Sequence, residues 1–233
     1  MEVGGQPLVL LPEKAAFLPA SRTLLVADLH IGKAVSFRGL GVPVPRGTTT
    51  ETLATLAVLV DRLGARRVAL LGDFLHSRHA HAPATLTTIE RWRRQHAALE
   101  LLLVRGNHDD GAGDPPHRLG IEPIDEPLRL DGLALCHHPR PDAGAYVIAG
   151  HLHPCITLAG RGHDRLRLPC FWFRTRVGVL PAFGAFTGMQ PIRPGPADRL
   201  FAIADQHVAE IHHSARRDMH GLEQLHGGVR RTI

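Results

Sequence analysis

The 233-residue chain has few cysteines and no long apolar run. Its three cysteines, Cys136, Cys155 and Cys170, show no close pairing, so they predict no disulfide framework. No apolar run approaches the roughly 20 residues that a membrane-spanning helix needs. The first residues lack the basic and apolar regions of a secretory signal. We therefore expect a cytoplasmic protein without a membrane partner.

Lysine is also scarce: the chain has only two, Lys14 and Lys33. Nearly all of the positive charge is arginine, and the formal net charge of +5 favours polyanionic partners in a general way. The bases are spread along the chain instead of forming a tract, so a bias towards arginine explains them as well as a phosphate-binding surface does. The 17 histidines are more informative, since several follow predicted strands.

The hydrophobic pattern alternates between strand and helix signatures. Strands are predicted at residues 8–11, 23–27, 67–71, 100–104, 145–149, 166–168, 177–180 and 200–203, with a hairpin formed by residues 128–130 and 133–136. Helices are predicted at residues 48–63 and 84–99, and a loop at residues 32–47 is expected to overhang a site. We expect a single domain over residues 1–213 and a flexible tail over residues 214–233.

Metal-ligand residue types follow five predicted strands at the points where the strands end. They are Asp28 and His30, Asp73, Asn107 with His108, His137, and His151 with His153. Asp28 and His30 can converge on one ion, because residues two apart in an extended chain share a face. Asp73 directly follows a buried run, where an unpaired carboxylate would be costly. Carboxylate, imidazole and amide donors together suit manganese, iron or zinc.

Hydrolysis of a phosphate ester is the chemistry that needs such a set of donors. Two ions about 3.5–4 Å apart can share a carboxylate and hold a hydroxide between them. They also offset the charge that develops in the transition state. We therefore expect a site in which Asp73 bridges two ions, the hydroxide attacks phosphorus, and a nearby histidine protonates the leaving group.

Five ordered motifs carry a resemblance to a known family. They are Asp28-x-His30, Gly72-Asp73, Gly106-Asn107-His108-Asp109, His137 and Gly150-His151-x-His153. In order and rough spacing they resemble the motifs of the calcineurin-like metallophosphoesterases, over about residues 23–153. The resemblance implies an α/β (α+β) fold, a four-layer αββα sandwich with a dinuclear site at the C-terminal ends of its strands.

The same resemblance implies a role for each residue. Asp28, His30 and His153 would hold one divalent ion. Asn107, His137 and His151 would hold the other, with Asp73 bridging the two. His108 would be the general acid, oriented by Asp28 or Asp109. For the two ions we expect manganese, with iron or zinc as alternatives.

A closer resemblance covers nearly the whole chain. Its motifs are Gly72-Asp73-Phe74-Leu75-His76, Gly150-His151-Leu152-His153-Pro154, Leu168-Pro169-Cys170-Phe171-Trp172, and Leu180-Pro181-Ala182-Phe183-Gly184 through Thr187-Gly188. They resemble the bacterial DNA-ligase-associated metallophosphoesterases, although Met189 stands where that pattern has a second glycine. The resemblance implies a phosphodiesterase or DNA-repair endonuclease acting on nucleic acid or a nucleotide-like diester. It also implies an association with a DNA ligase and a helicase. The oligomeric state stays open, with a homodimer as one alternative.

Several residues keep alternative interpretations. His138 could replace His137 as the ligand, and we favour His137 because it directly follows the strand. Arg38, His76 and Arg105 are predicted substrate contacts, against the alternative that each is an ordinary solvated or loop residue.

Alternatives also remain for an aromatic run and for the function. Residues 171–173 are predicted to lie in the core, against a ring that stacks on a base. The function has two alternatives: a hydrolase of small phosphate esters such as cyclic nucleotides, and a metal-bound repair scaffold without turnover. The candidate acid His108 argues against the scaffold.

Overall fold

The computed structural model describes residues 1–159 and 165–212. The strands are β1 (Glu2–Val3), β2 (Gln6–Pro7), β3 (Val9–Leu11), β4 (Ala15–Leu18), β5 (Thr23–Val26), β6 (Arg67–Leu71), β7 (Glu100–Val104), β8 (Ile121–Ile124), β9 (Leu128–Leu130), β10 (Leu133–Leu135), β11 (Tyr146–Ala149), β12 (Pro154–Ala159), β13 (Arg165–Phe173), β14 (Val177–Val179), β15 (Gln190–Pro191), β16 (Arg199–Ala204) and β17 (His207–Ile211). The α-helices are α1 (Lys33–Gly39), α2 (Thr48–Leu63), α3 (Pro83–Gln95) and α4 (Asn107–Ala112), and short 3₁₀ helices cover Arg78–His81 and His117–Leu119. The predicted tail, residues 214–233, lies outside the described residues.

Two large sheets form the frame of the molecule. The six-stranded sheet has the order β3-β4-β5-β6-β7-β8, in which β5 to β8 are parallel and β4 is antiparallel to both of its neighbours, β3 and β5. The nine-stranded sheet follows the path β15-β12-β13-β14-β11-β10-β9, with β16 paired to β13 and to β17. In its centre β10, β11 and β14 are parallel. The parallel strands of both sheets are the ones that carry the predicted ligands.

Alternation of side chains along the strands of the six-stranded sheet builds a core on each of its faces. On one face Leu24 and Leu70 pack with α2 and α3, whose buried side chains include Leu56 and Ile89. On the other face Leu71 and its neighbours pack against the inner face of the nine-stranded sheet. This helix, sheet and sheet order agrees with the predicted sandwich.

The outer face of the nine-stranded sheet carries a smaller cluster of buried side chains. Ala134, Val147 and Val179 are buried there, and Leu152 and Trp172 pack against them. Within residues 1–159 and 165–212, both long helices lie on the six-stranded sheet, so a second helical layer is not seen there. The small side chains of this face need little additional cover.

Most predicted elements match observed ones. The predicted strand at residues 8–11 corresponds to β3, which forms an edge of its sheet. The predicted hairpin is formed by β9 and β10, and both of its turn residues, Asp131 and Gly132, have positive φ. The helix predicted at residues 84–99 ends earlier, at Gln95.

The loop prediction for residues 32–47 was wrong in part. Residues Lys33–Gly39 form α1, and the ring of Phe37 contacts that of Phe186 edge to face, with ring centroids 5.8 Å apart. This tertiary contact stabilises a helix whose sequence, flanked by Gly32 and Gly41, favours a loop. In the part of the chain that the structure describes, no helix is long and apolar enough to cross a bilayer.

Candidate metal centre

All seven predicted ligands lie together where the parallel strands end. Asp28 and His30 follow β5, Asp73 follows β6, Asn107 begins α4 after β7, His137 follows β10, and His151 and His153 lie between β11 and β12. The two sheets face each other, so strand ends that are far apart in sequence meet at one edge of the sandwich.

A first group of donor atoms is formed by Asp28, His30 and His153. The Nε2 atoms of His30 and His153 lie 3.3 Å apart, and Nε2 of His153 lies 3.4 Å from Oδ1 of Asp28. Nδ1 of His153 donates to the carbonyl of Gly188 at 3.2 Å. Nε2 of His153 therefore presents its lone pair to the group. The three donors can share one ion, as all lie within 4.8 Å of one another.

A second group is formed by Asn107, His137 and His151. Nε2 of His137 lies 3.0 Å from both Oδ1 of Asn107 and Nδ1 of His151. Nδ1 of His137 donates to the carbonyl of Leu71 at 3.1 Å, which leaves a lone pair on Nε2. That lone pair faces the amide oxygen, and a cation between them would turn this repulsion into attraction.

Asp73 joins the two groups. Its Oδ2 lies 3.7 Å from Nε2 of His30 in the first group, and its Oδ1 lies 3.5 Å from Nε2 of His137 in the second. Oδ1 also accepts a hydrogen bond from the backbone N–H of His108 at 2.9 Å. One carboxylate thus turns a different oxygen to each group.

The donor set fits divalent cations on electrostatic grounds. Asp28 and Asp73 are 0% and 2% exposed, and two buried carboxylates this close need a positive partner. Burial lowers the pKa of His30 to about 2, with further lowering by His153 and Lys33. Burial, with His137 and His138, also lowers the pKa of His151. These imidazoles are therefore neutral near pH 7, which is the form that binds metal.

The backbone at the centre is held in an uncommon conformation. Five of the predicted ligands have positive φ, a region that residues other than glycine rarely adopt. They are Asp28 (φ 54°), His30 (φ 48°), Asp73 (φ 50°), His151 (φ 71°) and His153 (φ 46°). Such strain clusters at functional sites and persists because surrounding contacts impose it.

Gly72 is required by the close approach of a ligand. It has φ 80°, and a Cβ placed on it would lie 2.1 Å from Nδ1 of His137. The glycine before Asp73 therefore makes room for the ring that contacts the Asp73 carboxylate.

His108 lies beside the donors with its side chain 38% exposed. Its Nδ1 donates to the carbonyl of His76 at 2.9 Å, and its Nε2 lies 4.0 Å from Oδ2 of Asp73. The expected orientation by Asp28 or Asp109 is therefore replaced by a backbone carbonyl. The carboxylate of Asp109 instead accepts hydrogen bonds from the N–H groups of Phe74 and Leu75, which follow β6, and of Gly106, which precedes α4.

His76 contacts the centre directly. Its Nδ1 lies 3.3 Å from Nδ1 of His30, and its ring stacks on His108 with centroids 4.7 Å apart. Burial, together with His108 and Lys33, lowers the pKa of His76 to about 4. It is placed to orient His30 more than to contact substrate.

His137 and His138 have different partners, although both offer a donor atom near His151. His137 is 0% exposed and lies among the donors. The ring of His138 turns away to Glu126, with Nδ1 2.8 Å from Oε1, although it stays close to His151. Glu126 also accepts the backbone N–H groups of both histidines, so it fixes the turn that presents His137.

The two arginines that were predicted to contact substrate, Arg105 and Arg38, have different partners in the structure. Arg105 donates to Asp114 through Nε and Nη2 and to Asp125 through Nη1, at 2.6–2.9 Å. Two carboxylates neutralise its charge and would compete with a phosphate, so the substrate contact of Arg105 stays a prediction. Arg38 is on α1, and its Nη1 donates to the carbonyl of Pro45 at 3.1 Å.

Sequence reasoning missed Lys33, which begins α1 beside the centre. Burial lowers its pKa, while the charges of Asp73 and Asp28 raise it, so its ammonium acts on both carboxylates. The available signal was that Lys33 follows His30 by three residues in a chain with only two lysines.

The aromatic run is part of the core, as predicted. Phe171 and Phe173 are 0% and 3% exposed and pack between the two sheets. Trp172 faces the opposite side, where its Nε1 donates to Oδ2 of Asp198 at 2.7 Å.

Comparison with solved structures finds a close relative. The crystal structure of Pseudomonas putida nuclease MPE shares 47% sequence identity, with 91% of this chain and 98% of that chain covered and a TM-score of 0.81.

Two more distant structures were also found. Yfce, a phosphoesterase from E. coli, is 16% identical, with 81% of this chain and 97% of that chain covered and a TM-score of 0.40. AQ665 from Aquifex aeolicus, a protein of unknown function, is 16% identical over 61% of this chain and 82% of that chain, with a TM-score of 0.37. No protein-family model matches the chain, and no curated protein matches it.

The similarity to the Pseudomonas protein extends over 91% of this chain and 98% of that chain. The TM-score of 0.81 agrees with the predicted fold class. The chain belongs to the metallophosphoesterase family.

Proposed function

We propose that the protein is a metal-dependent phosphodiesterase that hydrolyses nucleic acid and uses two divalent ions, with manganese expected. The observation that carries this proposal is the carboxylate of Asp73, which is 2% exposed and turns one oxygen to each of two donor groups. The 47% identity to the Pseudomonas putida nuclease supports a polynucleotide substrate.

The residues of this chain would form two ion-binding groups. Asp28, His30 and His153 would hold one ion, and Asn107, His137 and His151 the other, with Asp73 shared. When bound, the ions lower the pKa of water and offset the charge that develops on the phosphoryl group. The half-buried ammonium of Lys33 adds positive charge on the same side and is suited to a phosphoryl oxygen.

His108 is placed to give a proton to the leaving oxygen. Its Nδ1–H is retained by the carbonyl of His76, so Nε2 is the ring nitrogen left for transfer. Nε2 faces the centre, and the side chain is partly exposed, so a substrate can reach it. The fixed backbone contact holds the ring in this orientation through turnover.

Elemental analysis and a substrate panel test the proposal. Purified protein should contain close to two transition-metal ions per chain. Manganese-loaded protein should cleave single-stranded DNA or RNA in a panel that also holds cyclic nucleotides and an aryl phosphodiester. Replacing His108→Ala should lower kcat by about 10²–10⁴-fold with the metal content intact, because the residue transfers a proton and holds no ion.

His79→Ala is the matched control, since His79 lies in the 3₁₀ helix Arg78–His81 and its Nδ1 contacts the hydroxyl of Ser77. A single ion per chain would contradict the bridging role of Asp73. Cleavage of small esters without any polynucleotide would favour the small-ester hydrolase. A metal-replete protein that cleaves nothing would favour the scaffold. The association with a DNA ligase and a helicase stays a prediction.

A further inference from the structure

A small cavity of about 100 Å³ lies beside the metal centre, next to the first donor group. His153 forms part of its wall, and the rest includes Lys14, Gly184, Thr187 and Met189. Three of these wall residues belong to the segment from residue 180 to residue 189, which supplies none of the seven predicted metal ligands. The cavity therefore adjoins the centre without sharing most of its residues.

Lys14 reaches this cavity from the turn between β3 and β4. It has φ 65°, a conformation that costs a side chain other than glycine about 1–2 kcal/mol. Its Nζ donates to the carbonyl of Gly184 at 3.4 Å, across 170 positions of sequence. Because a lysine occupies this strained position, its side chain is expected to have a function.

The charge of Lys14 has no close counterion in residues 1–159 and 165–212. Its neighbour Glu13 is engaged by Arg62 at 2.8 Å instead. Burial lowers the pKa of Lys14. The negative charge of Glu51, on α2, raises this pKa, but Glu51 does not form an ion pair with Lys14. A partly buried ammonium with only a long hydrogen bond to a carbonyl leaves donor capacity for an anion.

The cavity wall is tied to the metal ligands. The carbonyl of Gly188 accepts from Nδ1 of His153, and the N–H of Gly184 donates to the carbonyl of Asp28 at 3.3 Å. The hydroxyl of Thr187 donates to the carbonyl of Gly184 at 3.0 Å. These contacts hold the wall in a fixed place relative to His30 and the other donors of the first group.

We propose that this cavity is a subsite for a second phosphate of the substrate, which Lys14 binds while the neighbouring phosphodiester occupies the metal centre. The inference rests on the proposed function, because only a substrate with successive phosphates can fill both places. A subsite for a second phosphate would favour polynucleotides over small diesters. It also gives a role to the one lysine that lies outside the metal centre.

Calorimetry with defined nucleotides tests the subsite apart from turnover. Manganese-loaded protein is titrated with thymidine 3′,5′-bisphosphate and with each thymidine monophosphate. We expect the bisphosphate to bind about tenfold more tightly than the better monophosphate, as one added charge-assisted hydrogen bond predicts. In Lys14→Gln, which keeps a donor for the carbonyl of Gly184 but loses the charge, this preference should fall to within about twofold. Lys14→Arg should keep it.

Arg129→Gln is the matched control, because it removes one positive charge from an exposed ion pair with Asp142. It should keep the preference for the bisphosphate. A preference that persists in Lys14→Gln overturns the inference, as does a wild-type protein without any preference. If Lys14→Gln fails to fold, a crystal structure of the wild type with the bisphosphate decides by whether a phosphate contacts Lys14.

The two proposals fail in different ways. A wild-type protein that cleaves polynucleotides but binds the bisphosphate no better than a monophosphate overturns the subsite alone. A metal-loaded wild type that cleaves no phosphodiester overturns the proposed function.

Discussion

At the scale of single residues, the metal centre depends on the hydrogen-bond partner of the imidazole nitrogen that would not bind the metal. His137 and His153 each donate Nδ1–H to a backbone carbonyl, so Nε2 is left for a metal. The partner of His30 is a side chain instead of a carbonyl, since its Nδ1 lies 3.3 Å from Nδ1 of His76. Such partners fix the tautomer and orientation of a metal ligand. His76 is therefore a positioning residue.

We expect His76→Ala to weaken the affinity for one ion by about 10–100-fold, because His30 loses the partner that orients it. The ion that His137 would hold should be retained, since the contacts of that histidine are unchanged. Stepwise metal titration followed by calorimetry measures both affinities. Equal weakening of both ions, or of neither, would contradict the positioning role.

At the scale of elements, the turn that leaves β6 decides where a ligand points. Gly72 and Asp73 both have positive φ, and the chain reverses tightly enough to bring Asp73 against His137. Gly132, in the turn between β9 and β10, has a similar φ of 76° but open space where a Cβ would stand. A Cβ at Gly132 would therefore add only backbone strain, whereas a Cβ at Gly72 would add backbone strain and a steric overlap with His137.

We expect Gly132→Ala to lower the free energy of unfolding by about 1–2 kcal/mol, the cost of a left-handed conformation. Gly72→Ala should cost roughly 1–3 kcal/mol more, because the new methyl group overlaps the His137 ring. It should also reduce the metal content, which Gly132→Ala should not. Denaturant unfolding and elemental analysis measure the two effects, and equal costs would show that the contact with His137 is unimportant.

At the scale of the whole molecule, the centre lies where two sheets meet, and both sheets supply donors. Asp28 and Asp73 come from the six-stranded sheet, and His137 and His151 follow strands of the nine-stranded sheet. Bound ions would therefore join the two halves of the sandwich and offset buried negative charge. Metal binding should contribute to global stability.

Removing metal with a chelator should lower the Tm by roughly 5–10 °C, given about 2.7 kcal/mol from a site held at a hundred times its Kd. Differential scanning calorimetry with and without manganese measures the shift. In Asp73→Asn the shift should be much smaller, because the shared carboxylate is missing. An unchanged Tm in the wild type would contradict the ligand set.

Much of the centre could be predicted from sequence because its donors directly follow apolar runs. The strand ends at Asp28, Asp73 and His137 are local features, so composition and spacing identified them. The orientation of His108 could not be predicted, since the carbonyl of His76 that holds it lies 32 positions away. Helix α1 was missed for the same reason, as its packing on Phe186 is a distant contact.

The sequence by itself determined the family and predicted the candidate ligands and their order along the chain, because these depend on residue identity and on short spacings. Only the tertiary structure decided that Arg105 is neutralised by two acids, that His137 is fully buried while His138 contacts Glu126, and that Lys14 reaches Gly184. Each of these outcomes depends on contacts between segments far apart in the chain. The two sheets bring those segments together, and no local pattern records which side chains then meet.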